Sequence, residues 1–262
     1  MLKLITCDID GTLLKKYDDP IDEKLFKLIE DFYEKDVLFF ATSGRQLYNL
    51  QQIFKPVKEK IGYIAENGAL IVYKGKTIYK SAMDINLVKD LSNKILEKDD
   101  LELFICAQNT TYVIPKAKDF EKTVASQVVN HITPIKSLDD IKDDVLKVSL
   151  FNLNGINDDI ISYFEKDFGN KLQHTVSGHS WYDFMNLNIH KGSAIKFLQQ
   201  QINVSPKQTA AFGDNFNDIE MLLDANYSYA MEDAHQQVKK SAKNTCTDVT
   251  QTLQQLYNKF FG

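Results

Sequence analysis

Cysteine is scarce: Cys7, Cys106 and Cys246 are the only three in 262 residues, and they lie far apart with no CxxC pair. That argues against a disulfide framework and against a cysteine-built zinc site, and it fits a reducing compartment. Long apolar runs are missing too, none approaching the ~20 residues needed to span a bilayer. Asp8 and Asp10 stand where an export signal would need its apolar stretch, so the chain reads as soluble and cytoplasmic. There is no basic block, and the net charge is −5. Neither nucleic acid nor an anionic membrane is an expected partner. There is no internal repeat, no low-complexity tract and no signal for an oligomeric state. What remains is ordinary globular composition, 44% hydrophobic and 26% charged, at a length that permits one large domain or two smaller ones.

The pattern of elements divides in three. At the start, an apolar run over 2–7 reads as a strand, 22–35 as an amphipathic helix with Leu25, Leu28, Ile29 and Phe32 on one face, and 37–41 as a buried strand. A helix is expected from Ser43, a third strand over 63–65, and a hairpin about Lys74-Gly75-Lys76. In the middle, helices are expected over 85–97, 118–130 and 157–168, with strands over 101–107, 110–114, 145–152, 171–176 and 181–185. Tight turns between adjacent strands there suggest an antiparallel sheet with helices on one face. Alternation resumes with helices over 191–201, 216–225 and 234–243 and strands over 208–213 and 227–231. The expected class is α/β: a Rossmann-like, doubly wound parallel-sheet core of residues 1–82 and 186–262, interrupted by an α+β insert over 83–185.

Open parallel sheets bind ligands beyond the carboxyl ends of their strands. The first expected strand ends in Asp8-Ile9-Asp10-Gly11-Thr12, with two carboxylates two residues apart. Side chains at i and i+2 of a strand share a face. Like charges that close raise each other's proton affinity unless a cation intervenes, so either a metal binds there or one acid keeps its proton. The other ends carry Thr42-Ser43-Gly44-Arg45, Glu66-Asn67-Gly68 and Gly213-Asp214-Asn215-Phe216-Asn217-Asp218, while His190-Lys191-Gly192 precedes a helix. Each has an ordinary alternative. Asp8 and Asp10 could form an Asx-turn, Ser43 with Gln46 a capping box, and Asn215 with Asp218 a capping pair. Lys191 could swing into solvent, yet a cation in a first helical turn opposes the helix dipole and calls for an anion nearby. His190 is given no role, and Trp181, Tyr182 and Phe184 read as core of the insert.

Together these residues provide a carboxylate nucleophile, further acids, a lysine and a hydroxyl at a helix start, which is what phosphoryl transfer needs. Hydrolysis of a phosphate monoester demands accelerations of up to ~10²¹-fold. One preorganised donor is typically worth roughly 2.7–4 kcal/mol, so several must act together.

In order along the chain, Asp8-Ile9-Asp10-Gly11-Thr12, Ser43-Gly44-Arg45, Lys191 and Gly213 to Asp218 resemble the four motifs of the haloacid dehalogenase (HAD) superfamily of phosphatases. Glu66-Asn67-Gly68-Ala69 and Tyr229-Ala230-Met231 resemble further signatures of its Cof-type branch, subfamily IIB, as does the large insert. The likeness covers essentially the whole chain and points to bacterial broad-specificity sugar phosphatases. It implies that Asp8 attacks phosphorus and that Asp10 is the acid/base. Mg²⁺ would be held by Asp8, the Asp10 carbonyl and Asp214. Ser43, Gly44, Lys191 and Asn217 would hold the phosphoryl oxygens, Asp218 would orient Lys191 or metal waters, and Asn67 would meet the leaving group. The expected partner is a small phosphate ester, selected by the insert acting as a cap. Glu232-Asp233 follow Met231 where the branch often has Gly-Asn. A phosphomutase on the same fold and a receiver-like module phosphorylated on Asp8 remain alternatives.

Overall fold

The computed structural model describes residues 1–16, 19–116 and 131–262. The helix expected over 118–130 lies outside them. The chain divides into two units, Met1–Tyr79 with His190–Gly262, and Lys80–Ile189.

The first unit is built on an eight-stranded sheet. Its strands are β1 (Leu4–Asp8), β2 (Leu38–Thr42), β3 (Gly62–Ala65), β4 (Leu70–Tyr73), β5 (Lys76–Lys80), β12 (Thr209–Gly213), β13 (Tyr227–Met231) and β14 (Asn244–Cys246), in the order β14-β13-β12-β1-β2-β3-β4-β5. Pairing is parallel from β14 through β3 and antiparallel between β3 and β4. From β1 the chain builds the sheet outward through β2 and β3, then returns to β1's other side with β12. The strand order therefore reverses at β1, where an open sheet leaves a crevice for ligand. Register sets the members of that crevice: Asp8 lies across from Thr42, and Cys7 across from Phe212. Every residue of β1 and β12 is buried, which is why both read as continuous apolar runs.

Helices α1 (Glu23–Tyr33), α2 (Leu47–Ile53), α5 (Lys191–Gln201), α6 (Ile219–Leu223), α7 (Gln236–Ser241) and α8 (Val249–Phe261) belong to this unit. Helix α1 starts where Asp22 accepts the Lys24 amide, and it buries Leu25, Leu28, Ile29 and Phe32 at helical spacing. Phe32 meets Tyr257 and Phe261 of α8 edge-on, with ring centres 5.2 and 6.2 Å apart.

Three expectations on helix limits are corrected. Residues 43–46 form no helix, because Ser43 N donates to Ile64 O and Glu66 N to Arg45 O, tying this stretch to the end of β3. Helix α2 begins at Leu47 behind Gln46, so Ser43 is not its cap. The helix expected over 216–225 is a 3₁₀ turn, Phe216–Asp218, followed by the five residues of α6. That over 234–243 is the shorter α7. Strands β8 and β14 and helix α8 were not among the expected elements.

The second unit carries β6 (Glu102–Ala107), β7 (Thr111–Val113), β8 (Ile132–Pro134), β9 (Val145–Phe151), β10 (Leu172–Ser177) and β11 (Trp181–Asn186), in the order β10-β11-β9-β6-β7-β8. All pairs are antiparallel except β7 with β8. Helices α3 (Ile85–Leu96) and α4 (Asp158–Phe168) pack on one face, where Val88, Leu91, Ile95, Phe164 and Phe168 meet Leu103, Ile105, Val148, Leu150, Tyr182 and Phe184. Trp181 lies in a smaller cluster against Phe104 and Phe151.

Candidate active site

Four peptide segments converge at the carboxyl end of β1. The Asp8 side chain is only 5% exposed, and its Oδ1 accepts from Lys191 Nζ at 2.6 Å. Lys191 opens α5, capped by His190, and its ammonium bonds Asp218 Oδ1 at the same 2.6 Å. The anion demanded by a lysine in a first helical turn is thus a pair of carboxylates, and the solvent-exposed alternative is excluded by its 2% exposure. Asp218 Oδ2 accepts the backbone amides of Asp214 and Asn215, each at 3.0 Å. Asn215 and Asp218 do form a capping pair. Both Asp218 oxygens are therefore engaged in holding Lys191 and the turn. Gly213 permits this closeness, since a Cβ there would lie 2.5 Å from Asp218 Cβ.

Asp214 joins Asp8 and Asp218, with one carboxylate oxygen of each lying within 4.8 Å of the others. Its Oδ1 accepts from Thr12 Oγ1 at 2.6 Å. Gly11 has φ of 86° and faces Asp214 so tightly that a Cβ would come within 2.2 Å of Oδ2. A side chain at 11 would meet both steric obstacles. Burial foremost, then the neighbouring Asp218, raises the Asp8 carboxyl well above its ordinary range, with Lys191 opposing. The same two causes raise Asp214. Burial alone would lower Lys191, but Asp218 and Asp8 outweigh it and hold the ammonium protonated. Three carboxylates face one ammonium, and Asp8 Oδ2 is buried with no hydrogen-bond partner among the described residues. Buried, uncompensated negative charge and an open oxygen are what a divalent cation would satisfy.

The opposite wall comes from the ends of β2 and β3. Ser43 is buried, and its Oγ accepts the Arg45 amide at 3.0 Å. A Cβ on Gly44 would sit 3.0 Å from Asn67 Oδ1, the atom that also accepts from Asn217 Nδ2 at 3.3 Å. Asn67 thereby links two of the expected phosphate-binding segments. Glu66 and Asn67 are both buried and both left-handed, at φ 51° and 54°. Such backbone costs of order 1–3 kcal/mol per residue and concentrates at functional sites.

Asp10 departs from the group. Its carboxylate is 45% exposed and is not among the three clustered acids. Arg45 holds it, Nε donating to Oδ2 at 2.8 Å and Nη2 to Oδ1. Sequence reasoning gave neither Arg45 nor Thr12 a role, although both stand inside the quoted motifs. A hydroxyl two residues past Asp10 and a cation after Ser43-Gly44 were the available signals. The Glu232-Asp233 departure falls at the surface, where Asp233 pairs with Lys15 at 3.1 Å and Lys15 also reaches Gly11 O at 3.3 Å. The acid that replaces a neutral residue there is matched by a cation.

Comparison with known proteins agrees with this geometry. The pattern of haloacid dehalogenase-like hydrolases matches residues 5–252. The 5-amino-6-(5-phospho-D-ribitylamino)uracil phosphatase YbjI of Escherichia coli is 28% identical over 246 residues, covering 92% of this chain and 89% of its own. The 5-amino-6-(5-phospho-D-ribitylamino)uracil phosphatase YcsE of Bacillus subtilis is 25% identical over 244 residues, covering 92% of this chain and 88% of its own. The solved structure of the HAD subclass IIB sugar phosphatase BT4131 shares the fold with a TM-score of 0.81 at 22% identity, over 97% of this chain and 98% of that one. With its family pattern matched from the first strand into the last helix, the chain belongs to the haloacid dehalogenase-like hydrolases.

Proposed function

We propose that this protein is a Mg²⁺-dependent phosphomonoester hydrolase that works through an aspartyl phosphate on Asp8. The carrying observation is the environment of Asp8: a buried carboxylate, one oxygen on Lys191 and the other with no hydrogen-bond partner among the described residues. In this reading residues 1–82 and 186–262 are the catalytic core and 83–185 the substrate-selecting domain.

Asp8 Oδ2, Asp214 and the Asp10 carbonyl would hold Mg²⁺, which when bound supplies positive charge that lets an anionic nucleophile approach an anionic phosphate. The other steps belong to the side chains. An Asp8 oxygen attacks phosphorus as the ester P–O bond breaks, and Asp10 gives its proton to the departing alkoxide. Lys191, Asn217, the Ser43 hydroxyl and the Gly44 amide hold the phosphoryl oxygens against charge that spreads over them in the transition state. Asp218 keeps Lys191 in place. Asp10, now a carboxylate, takes a proton from water as that water attacks phosphorus. The Asp8–phosphorus bond then breaks, releasing phosphate and restoring Asp8.

For substrate class, the relatives' names supply the argument. A ribityl phosphate and a sugar phosphate are both phosphate esters on a polyhydroxylated carbon chain. We read the substrate as a phosphate ester of a sugar or sugar alcohol, met in a reducing, cytoplasmic setting that suits a chain with three widely spaced cysteines. The test is a panel of hexose, pentose, pentitol and nucleotide phosphates ranked by kcat/KM, with and without Mg²⁺. Polyol phosphates should lead, and Asp8→Asn should abolish turnover. Undiminished turnover in Asp8→Asn removes the nucleophile. A purified protein that accepts phosphate on Asp8 but turns over no ester favours the receiver-like module.

A further inference from the structure

We propose that Arg45 is the positioning residue for Asp10, an inference that rests on the acid/base role given to Asp10 above. The backbone of Asp10 is fixed by its turn: Gly11 N donates to Leu14 O at 2.8 Å, and the amides of Leu13 and Leu14 donate to Ile9 O at 2.9 and 2.8 Å. Its side chain has no such constraint of its own. It stands half-exposed, outside the acid cluster, where several rotamers would be open to it.

One guanidinium removes that freedom. Arg45 grips both Asp10 oxygens with two different nitrogens, the fork geometry that a lysine cannot reproduce. Unlike Asp10, the Arg45 side chain is 9% exposed, so this is not a pair of mobile surface chains. It is braced in turn: its Nη1 donates to Oδ1 of buried Asn49 on α2 at 2.9 Å, its amide rests on Ser43 Oγ, and its carbonyl receives the Glu66 amide at 3.1 Å. The orientation of Asp10 is thereby referred to the segment that carries Ser43 and Gly44. The acid/base and the phosphate-holding segment share one frame.

This role leaves a signature that a structural role lacks. Proton donation matters most when the departing oxygen is strongly basic, as in an alkyl phosphate, and little when it is an acidic phenol. The experiment measures kcat/KM for Arg45→Ala, Arg45→Lys, Asp10→Asn and the Asp10→Asn/Arg45→Ala double variant. The substrates are a hexose 6-phosphate and p-nitrophenyl phosphate, with thermal melts on each protein. Arg45→Ala should lower kcat/KM for the alkyl ester by roughly 10–100-fold, part of the 10²–10⁴ typical of acid/base catalysis, and for the aryl ester by less than about threefold. Arg45→Lys should restore little of the loss. In the Asp10→Asn background, Arg45→Ala should cost nothing more, because its effect passes through the group already removed.

Equal losses on both esters, or additive losses in the double variant, overturn the proposal. If Asp10→Asn is ester-selective and Arg45→Ala is not, the positioning role alone fails. If Asp10→Asn is itself not ester-selective, the acid/base reading fails and the inference with it. Should Arg45→Ala melt far below the wild type, Asn49→Ala loosens the same guanidinium more gently. It should show a smaller loss confined to the alkyl ester, and a loss common to both esters overturns the proposal there too.

Discussion

Replacing Lys191 with methionine tests the buried centre of the site. The side chain keeps its length and loses its charge. In the wild type the ammonium is 2% exposed and sits 2.6 Å from both Asp8 and Asp218. Deleting one partner of a buried ion pair typically costs ~3–5 kcal/mol, because the remaining charge stays buried and unpaired. Here two carboxylates lose their cation at once. They can relieve the cost by binding protons, so the loss depends on pH. With total stabilities of ~5–15 kcal/mol for typical proteins, a cost of this size is a large fraction of what holds the fold. The assay is urea unfolding of metal-free wild type and Lys191→Met at about pH 5 and about pH 7.5, a window above the unfolded-state aspartate pKa of ~3.9. We expect a lower midpoint in the variant, with the deficit greater at the higher pH. Turnover should fall at least ~100-fold, about 2.7 kcal/mol of transition-state stabilisation. Equal midpoints at both pH values would mean that the Lys191 head group is not buried between acids, and the electrostatic account of the site would be refuted.

Two further outcomes follow from the same geometry. Thr12→Val removes the 2.6 Å donor to Asp214 and should weaken the apparent affinity for Mg²⁺ by ~10–100-fold, as loss of a partner behind a metal ligand generally does. A Mg²⁺ titration of activity checks this, and an unchanged half-saturation point removes Thr12 from the site. Burial and Asp218 raise the Asp8 carboxyl in the fold, so the metal-free folded protein binds more protons than the unfolded chain above the unfolded value of ~3.9. Stability contributed by Asp8 is therefore fullest at low pH and is lost as pH rises toward the raised folded value. In EDTA the melting temperature of Asp8→Asn relative to the wild type should shift in the variant's favour as pH rises, whereas a difference that does not change with pH contradicts the shift.

Much of this was legible in the sequence, and the reason is physical. Strands buried on both faces must be apolar, so Leu4 to Cys7 and Thr209 to Phe212 stand out, and the polar residues directly after them fall in the crevice by topology. Lys191 was legible because its charge conflicts with the helix it begins. The helix expected from Ser43 begins only at Leu47, because a hydroxyl three residues before a glutamine suits either a helix start or a turn, and the pairing of Ser43 with the end of β3 decides between them. The partnership of Asp10 with Arg45 spans 35 residues and follows from the register of β1 against β2, which local patterns do not encode. Strand β14 is three residues long, too short to carry a period. Helix α8 carries Val249, Leu253 and Leu256 at helical spacing, but the strand that leads into it is β14, so the strand–helix alternation could be followed in the sequence only to 243.

The central claim is that Asp8 carries the phosphoryl group. The measurement is a rapid acid quench of Asp10→Asn during turnover of p-nitrophenyl phosphate, followed by peptide mass mapping, because an acidic phenol departs without a proton from Asp10 while the slowed second step should let the phosphoenzyme accumulate. We expect one phosphoryl group on the peptide containing Asp8, released by mild base as an acyl phosphate. A phosphoryl group on another residue, or none while phosphate is still being released, would contradict the account.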